Sequence, residues 1–207
     1  MSRLATALLG ALTLLPLAAF STTVWDESIS GDLSSDPDAP TPLSFNAGSN
    51  IITGSVSDGE GDTRDFVTFT IADGQVLTAL LQLEYVDGQT GGPGNRGFHS
   101  INEGETSFIP GFDTSDDFLG GAHLDALAPG TDMLMILAGA PQAGVGFETP
   151  LGPGTYSYLV QQTGPQISAY TLDFQVAAVP LPAGVWLISS ALVGLIGFRA
   201  RRRDGLA

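Results

Sequence analysis

Apolar and polar residues alternate with a period of two in several stretches between residues 22 and 179. Leu77, Ala79, Leu81, Leu83 and Tyr85 alternate with Thr78, Leu80, Gln82 and Glu84. Tyr170, Leu172, Phe174 and Val176 alternate with Thr171, Asp173 and Gln175. Val67, Phe69 and Ile71 alternate with Thr68 and Thr70. A residue's side chain leaves a strand on the face opposite its neighbour's, so these runs predict half-buried strands. Thr155–Gln162 and Asn50–Ser57 also read as strands, the second with Gly54 as the expected bulge. Met133–Ala138 (MLMILA) is continuously apolar, which predicts a central buried strand. Weaker strands are expected over Val24–Ser30 and Leu43–Phe45, about eight in all. Turn pairs separate them: Asp58-Gly59, Asp73-Gly74, Asp87-Gly88, Pro129-Gly130 and Pro153-Gly154. Gly88–Leu127 shows no clear alternation and reads as a long loop layer with one short helix near Leu119–Leu127. No useful window shows a helical period, and no internal repeat is visible. The pattern predicts an all-β fold, a β-sandwich or jelly roll, over residues 50–178. Residues 22–49 form an extended lead-in with the first strand or strands.

The two ends follow other rules. Arg3 precedes the apolar run Leu4–Ala19, and Ala19-Phe20-Ser21 offers small residues for cleavage. Residues 1–21 therefore read as a signal peptide for signal peptidase. At the other end, Ala183–Phe198 contains no charged side chain. As a helix it measures about 24 Å against a ~30 Å hydrocarbon core, and local thinning or snorkelling by Arg199 covers the difference. Trp186 suits the outer interface. Arg199, Arg201, Arg202 and Arg203 mark the cytoplasmic side by the positive-inside rule. The expectation is one transmembrane helix, 183–198, with the body outside.

Charge sharpens this division. The chain carries −15 overall. Residues 22–179 hold 21 Asp and Glu against Arg64 and Arg96, a net −19. Such a body repels phosphate backbones, which excludes nucleic acid as a partner. There is no Cys, so disulfides and thiolate metal sites are excluded.

Val179-Pro180-Leu181-Pro182-Ala183, the short apolar helix and the terminal Arg cluster stand in order over residues 179–203. Together they resemble the PEP-CTERM sorting signals of Gram-negative bacteria, in the VPLPA variant with Leu181 in the middle of the box. That resemblance implies processing by an exosortase-type membrane protease. It also implies an inner-membrane-anchored precursor with its body in the periplasm, and a mature form on the cell surface or in an exopolysaccharide or biofilm matrix. The prolines hold the chain extended before the membrane, where a protease can bind it. A second, looser resemblance rests on Ala72-Asp73-Gly74-Gln75 and Gly152-Pro153-Gly154-Thr155-Tyr156. It is similar to bacterial pre-peptidase C-terminal-like modules, which implies a non-catalytic extracellular β-sandwich.

Candidate chemistry is sparse. Asp58, Glu60 and Asp62 alternate through a Gly-rich loop that ends at Asp65, and an i, i+2, i+4 spacing can wrap Ca²⁺ with oxygen ligands. The loop reads first as a solvated acidic turn, with calcium as the lesser reading, since Arg64 sits inside it and could neutralise it. Asp113-Thr114-Ser115-Asp116-Asp117 and Asp32–Asp38 read as acidic loops. Gly92-Pro93-Gly94-Asn95-Arg96-Gly97 matches a dinucleotide fingerprint by letters only, since no helix follows it. His99 and His123 lack a second His at metal spacing, and no nucleophile elbow is present. No catalytic residue is assigned. Trp25, Tyr85, Tyr156 and Tyr158 suit core packing better than a sugar-stacking face. The expected role is a structural or adhesive exported protein. A carbohydrate- or calcium-binding module is the alternative, and a carboxylate-dependent hydrolase is the third class.

Overall fold

The computed structural model describes residues 21–57, 64–87, 97–107, 118–124, 127–139, 143–162 and 166–179. Among these, the chain forms ten strands and two short helices. The order is β1 (Ser21–Asp26), α1 (Glu27–Ser30), β2 (Thr41–Leu43), β3 (Gly48–Ser57), β4 (Arg64–Ile71) and β5 (Gln75–Asp87). Then come β6 (Gly97–Glu103), β7 (Phe118–Leu124), β8 (Thr131–Asp132), α2 (Met133–Ala138), β9 (Gly154–Gln162) and β10 (Ile167–Ala178). They make two five-stranded sheets, β1-β3-β10-β5-β8 and β2-β4-β9-β6-β7. β1 lies parallel to β3 and β2 parallel to β4, while the remaining pairs are antiparallel. The mostly-β architecture in two packed sheets is consistent with the expected β-sandwich.

The alternating faces meet between the sheets. Phe69 of β4 and Tyr158 of β9 each pack against Phe174 of β10, with ring centroids 5.4 Å apart in both pairs. Phe45, just after β2, stacks on Phe69 at 4.8 Å. Ile52, Val56, Leu77, Leu80, Ile101, Leu172 and Val176 complete this core, all below 5% exposed. Phe66, Phe98, Phe118 and Leu159 form a second, smaller apolar cluster. Phe66 is the neighbour of Val67, so it leaves β4 on the face away from the main core.

Several expectations are corrected. Met133–Ala138 is helix α2, not a strand. Six apolar residues carry too little periodicity to choose, and Asp132 decides: its Oδ1 accepts the backbone N–H of Leu134 at 3.0 Å as an N-cap. Met133, Leu134 and Leu137 are buried while Met135 is 67% exposed, the imprint of a helical face. Gly88–Leu127 contains β6 and β7, where a loop layer and a helix were expected. All of β6 except Glu103 is buried, including His99, Ser100 and Asn102, so no polar alternation marks it. Gly54 makes no bulge, since β3 and β10 pair without a register break from Gly48 to Ser57. Two bulges lie in β5 opposite β10, where the register shifts at Thr171/Leu172 and Gln175/Val176. Each extra residue in β5 flips its phase. Leu77, Leu80, Gln82 and Tyr85 therefore face the core, while Leu81 and Leu83 are half-buried. The lead-in holds the first strands, β1 and β2, as expected, with the short helix α1 between them. Expected strand Val24–Ser30 is strand only to Asp26 and then turns as α1.

The signal peptide, except Ser21, lies outside the described residues. So do the sorting signal beyond Val179, the expected helix 183–198 and the Arg cluster. Among the described residues, no helix is long and apolar enough to cross a membrane.

Candidate functional site

Of the proposed calcium ligands, Asp58, Glu60 and Asp62 lie outside the described residues. Asp65 shares the inward face of β4 with Val67, Phe69 and Ile71, and it is 1% exposed. There it accepts a 2.6 Å hydrogen bond from the Tyr170 hydroxyl of β10. Two other carboxylates converge on it. One oxygen each from Glu27, Asp32 and Asp65 lie within 4.8 Å of one another.

Local sequence builds this convergence. Asp26 caps α1, accepting the backbone N–H of Ser28 at 3.0 Å and its hydroxyl at 2.6 Å. Gly31 ends the turn at φ +87°, a conformation suited to glycine, and the Trp25 indole donates to its carbonyl at 3.1 Å. This folded turn sets Glu27 and Asp32 on one side. The pairing of β1 with β3 ends at Asp26 and Thr53. The next available N–H on that edge of β3, from Ser55, donates to Glu27 Oε2 at 2.8 Å. Gly54 leaves the space: a Cβ there would stand 2.5 Å from Tyr170 Oη and 2.7 Å from Glu27 Oε1.

Burial, the Asp65 charge, its hydrogen bond and the Glu27 charge hold the Tyr170 phenol well above its ordinary pKa. It therefore stays a proton donor toward Asp65. Two carboxylates within 4.8 Å repel by about 3 kcal/mol at an effective dielectric near 20. A proton or a hard cation would remove that repulsion. Three carboxylates supply part of the six to eight oxygens that Ca²⁺ takes.

Sequence reasoning found Asp65 but assigned it to its own loop. Glu27 sat in an expected strand, Asp32 in an expected acidic loop and Tyr170 in a core strand. Only the fold joins residues this far apart along the chain.

The other predicted residues fall elsewhere. Tyr85, Tyr156 and Tyr158 are buried and Trp25 packs half-buried on the core, as the packing reading expects. His99 is fully buried and shares a 2.8 Å hydrogen bond with Tyr158 through Nδ1. His123 is exposed and packs edge-on against Phe98 at 5.0 Å. A shallow groove of about 610 Å³ opens beside β2 and β4, bordered by Pro40, Phe45, Thr70, Glu105 and Thr155. The Thr70 and Thr155 hydroxyls in it stand 3.1 Å apart. Nothing in the sequence announced this groove, since its walls come from four separate segments.

No protein-family model, curated protein or solved structure matches this chain.

Proposed function

We propose that this is an exported, non-catalytic protein of the cell surface or extracellular matrix, sorted by an exosortase-type protease and structural or adhesive in its end use. One observation carries the reading: the Pro-Leu-Pro-Ala box, a short apolar segment and four Arg follow directly on β10, the last strand described. A body lying between two apolar end segments is the layout that this reading expects. We also infer a jelly roll for the body. In its support, β3-β10-β5-β8 and β4-β9-β6-β7 are the strand orders of two interleaved Greek keys. The turn at Asp73-Gly74 and the strand from Gly154 support the likeness to pre-peptidase C-terminal-like modules.

Mass spectrometry of the mature protein from its own host tests the sorting. The expected mature chain begins near Thr22 and ends close to the Pro180–Ala183 box. Recovery of an intact Gly205-Leu206-Ala207 terminus from outside the cell overturns it.

A second reading, calcium binding, is favoured by the meeting of Glu27, Asp32 and Asp65 in a body of net −19. Millimolar Ca²⁺ then raises the melting temperature above that in NaCl of equal ionic strength, and Asp65→Asn abolishes the difference. Equal melting in both salts removes this reading.

A further inference from the structure

Ser21 and Gln175 both pair with Ser49, one from each side of β3. Neighbouring strands lie about 4.8 Å apart, so β1 and β10 are separated by about 10 Å. β1 runs parallel to β3 and leaves this end, while β10 runs antiparallel to β3 and arrives there. The apolar run 4–19 therefore enters, and the apolar run 183–198 departs, at the same end of the first sheet.

Neither junction is long. Ser21 is already in β1, two residues after Ala19. At the exit, Ala178 still pairs with Gln75, and the Val179 N–H donates to the Gly74 carbonyl at 2.7 Å. Whatever their conformation, the four residues from Val179 to Ala183 reach at most about 14 Å at ~3.3–3.6 Å per residue. The headgroup layer is itself about 5–8 Å thick on each side of the hydrocarbon core. The remaining slack is small beside the sandwich, whose β10 alone extends about 35 Å at ~3.3 Å per residue.

We infer that the end of the sandwich bearing Ser21, Ser49, the turn Ala72-Asp73-Gly74 and Val179 is the face that rests on the lipid surface in the precursor. The opposite end is held away from the membrane. It carries α1, the start of β4 and the carboxylates of Glu27, Asp32 and Asp65. This rests on the reading of residues 183–198 as a membrane span. It adds an orientation that a long, flexible stalk would not impose.

The absence of native Cys allows a direct test. Single-Cys variants of the full chain are labelled with a fluorophore and reconstituted into phosphatidylethanolamine/phosphatidylglycerol vesicles holding a headgroup-level nitroxide lipid quencher. Asp73→Cys and Ala178→Cys report on the near end, and Ile29→Cys and Ile167→Cys on the far end. All four positions are exposed, so labelling leaves the core intact. Loss of most of the fluorescence at both near-end sites, with little loss at both far-end sites, is the expected result. Vesicle flotation with equal quenching at the two ends overturns the orientation alone. Failure of the chain to float with vesicles overturns both the orientation and the membrane-span reading beneath it.

Discussion

His99 is an ionisable group inside the main core, fully buried, with the rings of Tyr85 and Tyr158 centred 6.5 and 6.0 Å away. Burial, followed by the nearby charge of His123, lowers its pKa from 6.5 to about 4. The imidazole is thus neutral when folded at neutral pH, and Tyr158 holds its Nδ1. In the unfolded chain it takes up a proton near pH 6.5. Between about pH 6.5 and 4 the unfolded state binds more protons, so stability falls as pH falls through that window. The full loss is roughly 3 kcal/mol, at about 1.4 kcal/mol for each tenfold difference in proton affinity between the folded and unfolded chain. Urea unfolding at pH 7, 5.5 and 4.5 checks this against His99→Gln, which removes the titration but keeps a polar group for Tyr158. The stability gap between the two proteins should change steadily in the variant's favour as pH drops. A gap constant across the window would rule out His99 as the source. The sequence names both residues but not their meeting, because Tyr158 lies 59 positions away.

At the scale of elements, legibility followed solvent. β3, β4, β5 and β10 were readable because water on one side preserves an alternation in the sequence; β9 was readable from its aromatic and β-branched residues, although Tyr156 to Val160 are all buried. β6 was not, because both its faces are covered and Ser100 and Asn102 are buried beside Phe98 and Ile101. β7 was obscured by Gly120 and Gly121. Gly120 lies under α2, where a Cβ would stand 2.1 Å from the Leu137 carbonyl oxygen. The phase of β5 is not legible past Leu77, since bulges depend on the partner strand and leave no local signature. In α2 the deciding residue is polar and sits outside the apolar run. Asp132 Oδ1 accepts from Leu134 N at 3.0 Å and from Leu80 N of β5 at 3.1 Å, joining cap to sheet. Asp132→Ala should cost about 1–2 kcal/mol for the cap, with a further cost for the orphaned Leu80 amide. Asp132→Asn, which keeps the side-chain oxygen, should cost much less. Urea midpoints of the two variants compare them, and equal losses would mean that charge rather than the cap is what matters.

For the whole molecule, the acidic excess was legible and its focus was not. Twenty-one carboxylates against two Arg can be counted in residues 22–179, but the grouping of Glu27 and Asp32 with Asp65 needs β1, α1 and β4 to be in place. The excess has a consequence that does not depend on any bound ion. Folding brings like charges closer together than they stand in an expanded chain, so the compact state carries more self-repulsion. Salt weakens that repulsion: the Debye length falls from about 30 Å at 0.01 M to about 8 Å at 0.15 M. Added NaCl should therefore stabilise this protein, the reverse of its effect where attractive surface ion pairs dominate. A gain of about 1 kcal/mol would raise the melting temperature by roughly 2–4 °C for a chain of this size. Thermal unfolding of the full chain in non-ionic detergent, followed by circular dichroism from 0.01 to 0.15 M NaCl at pH 7, reads the shift. A melting temperature that holds still or falls would show that the carboxylates are already locally compensated. In that case the group at Glu27, Asp32 and Asp65 would be the first place to look for retained protons or a tightly held cation.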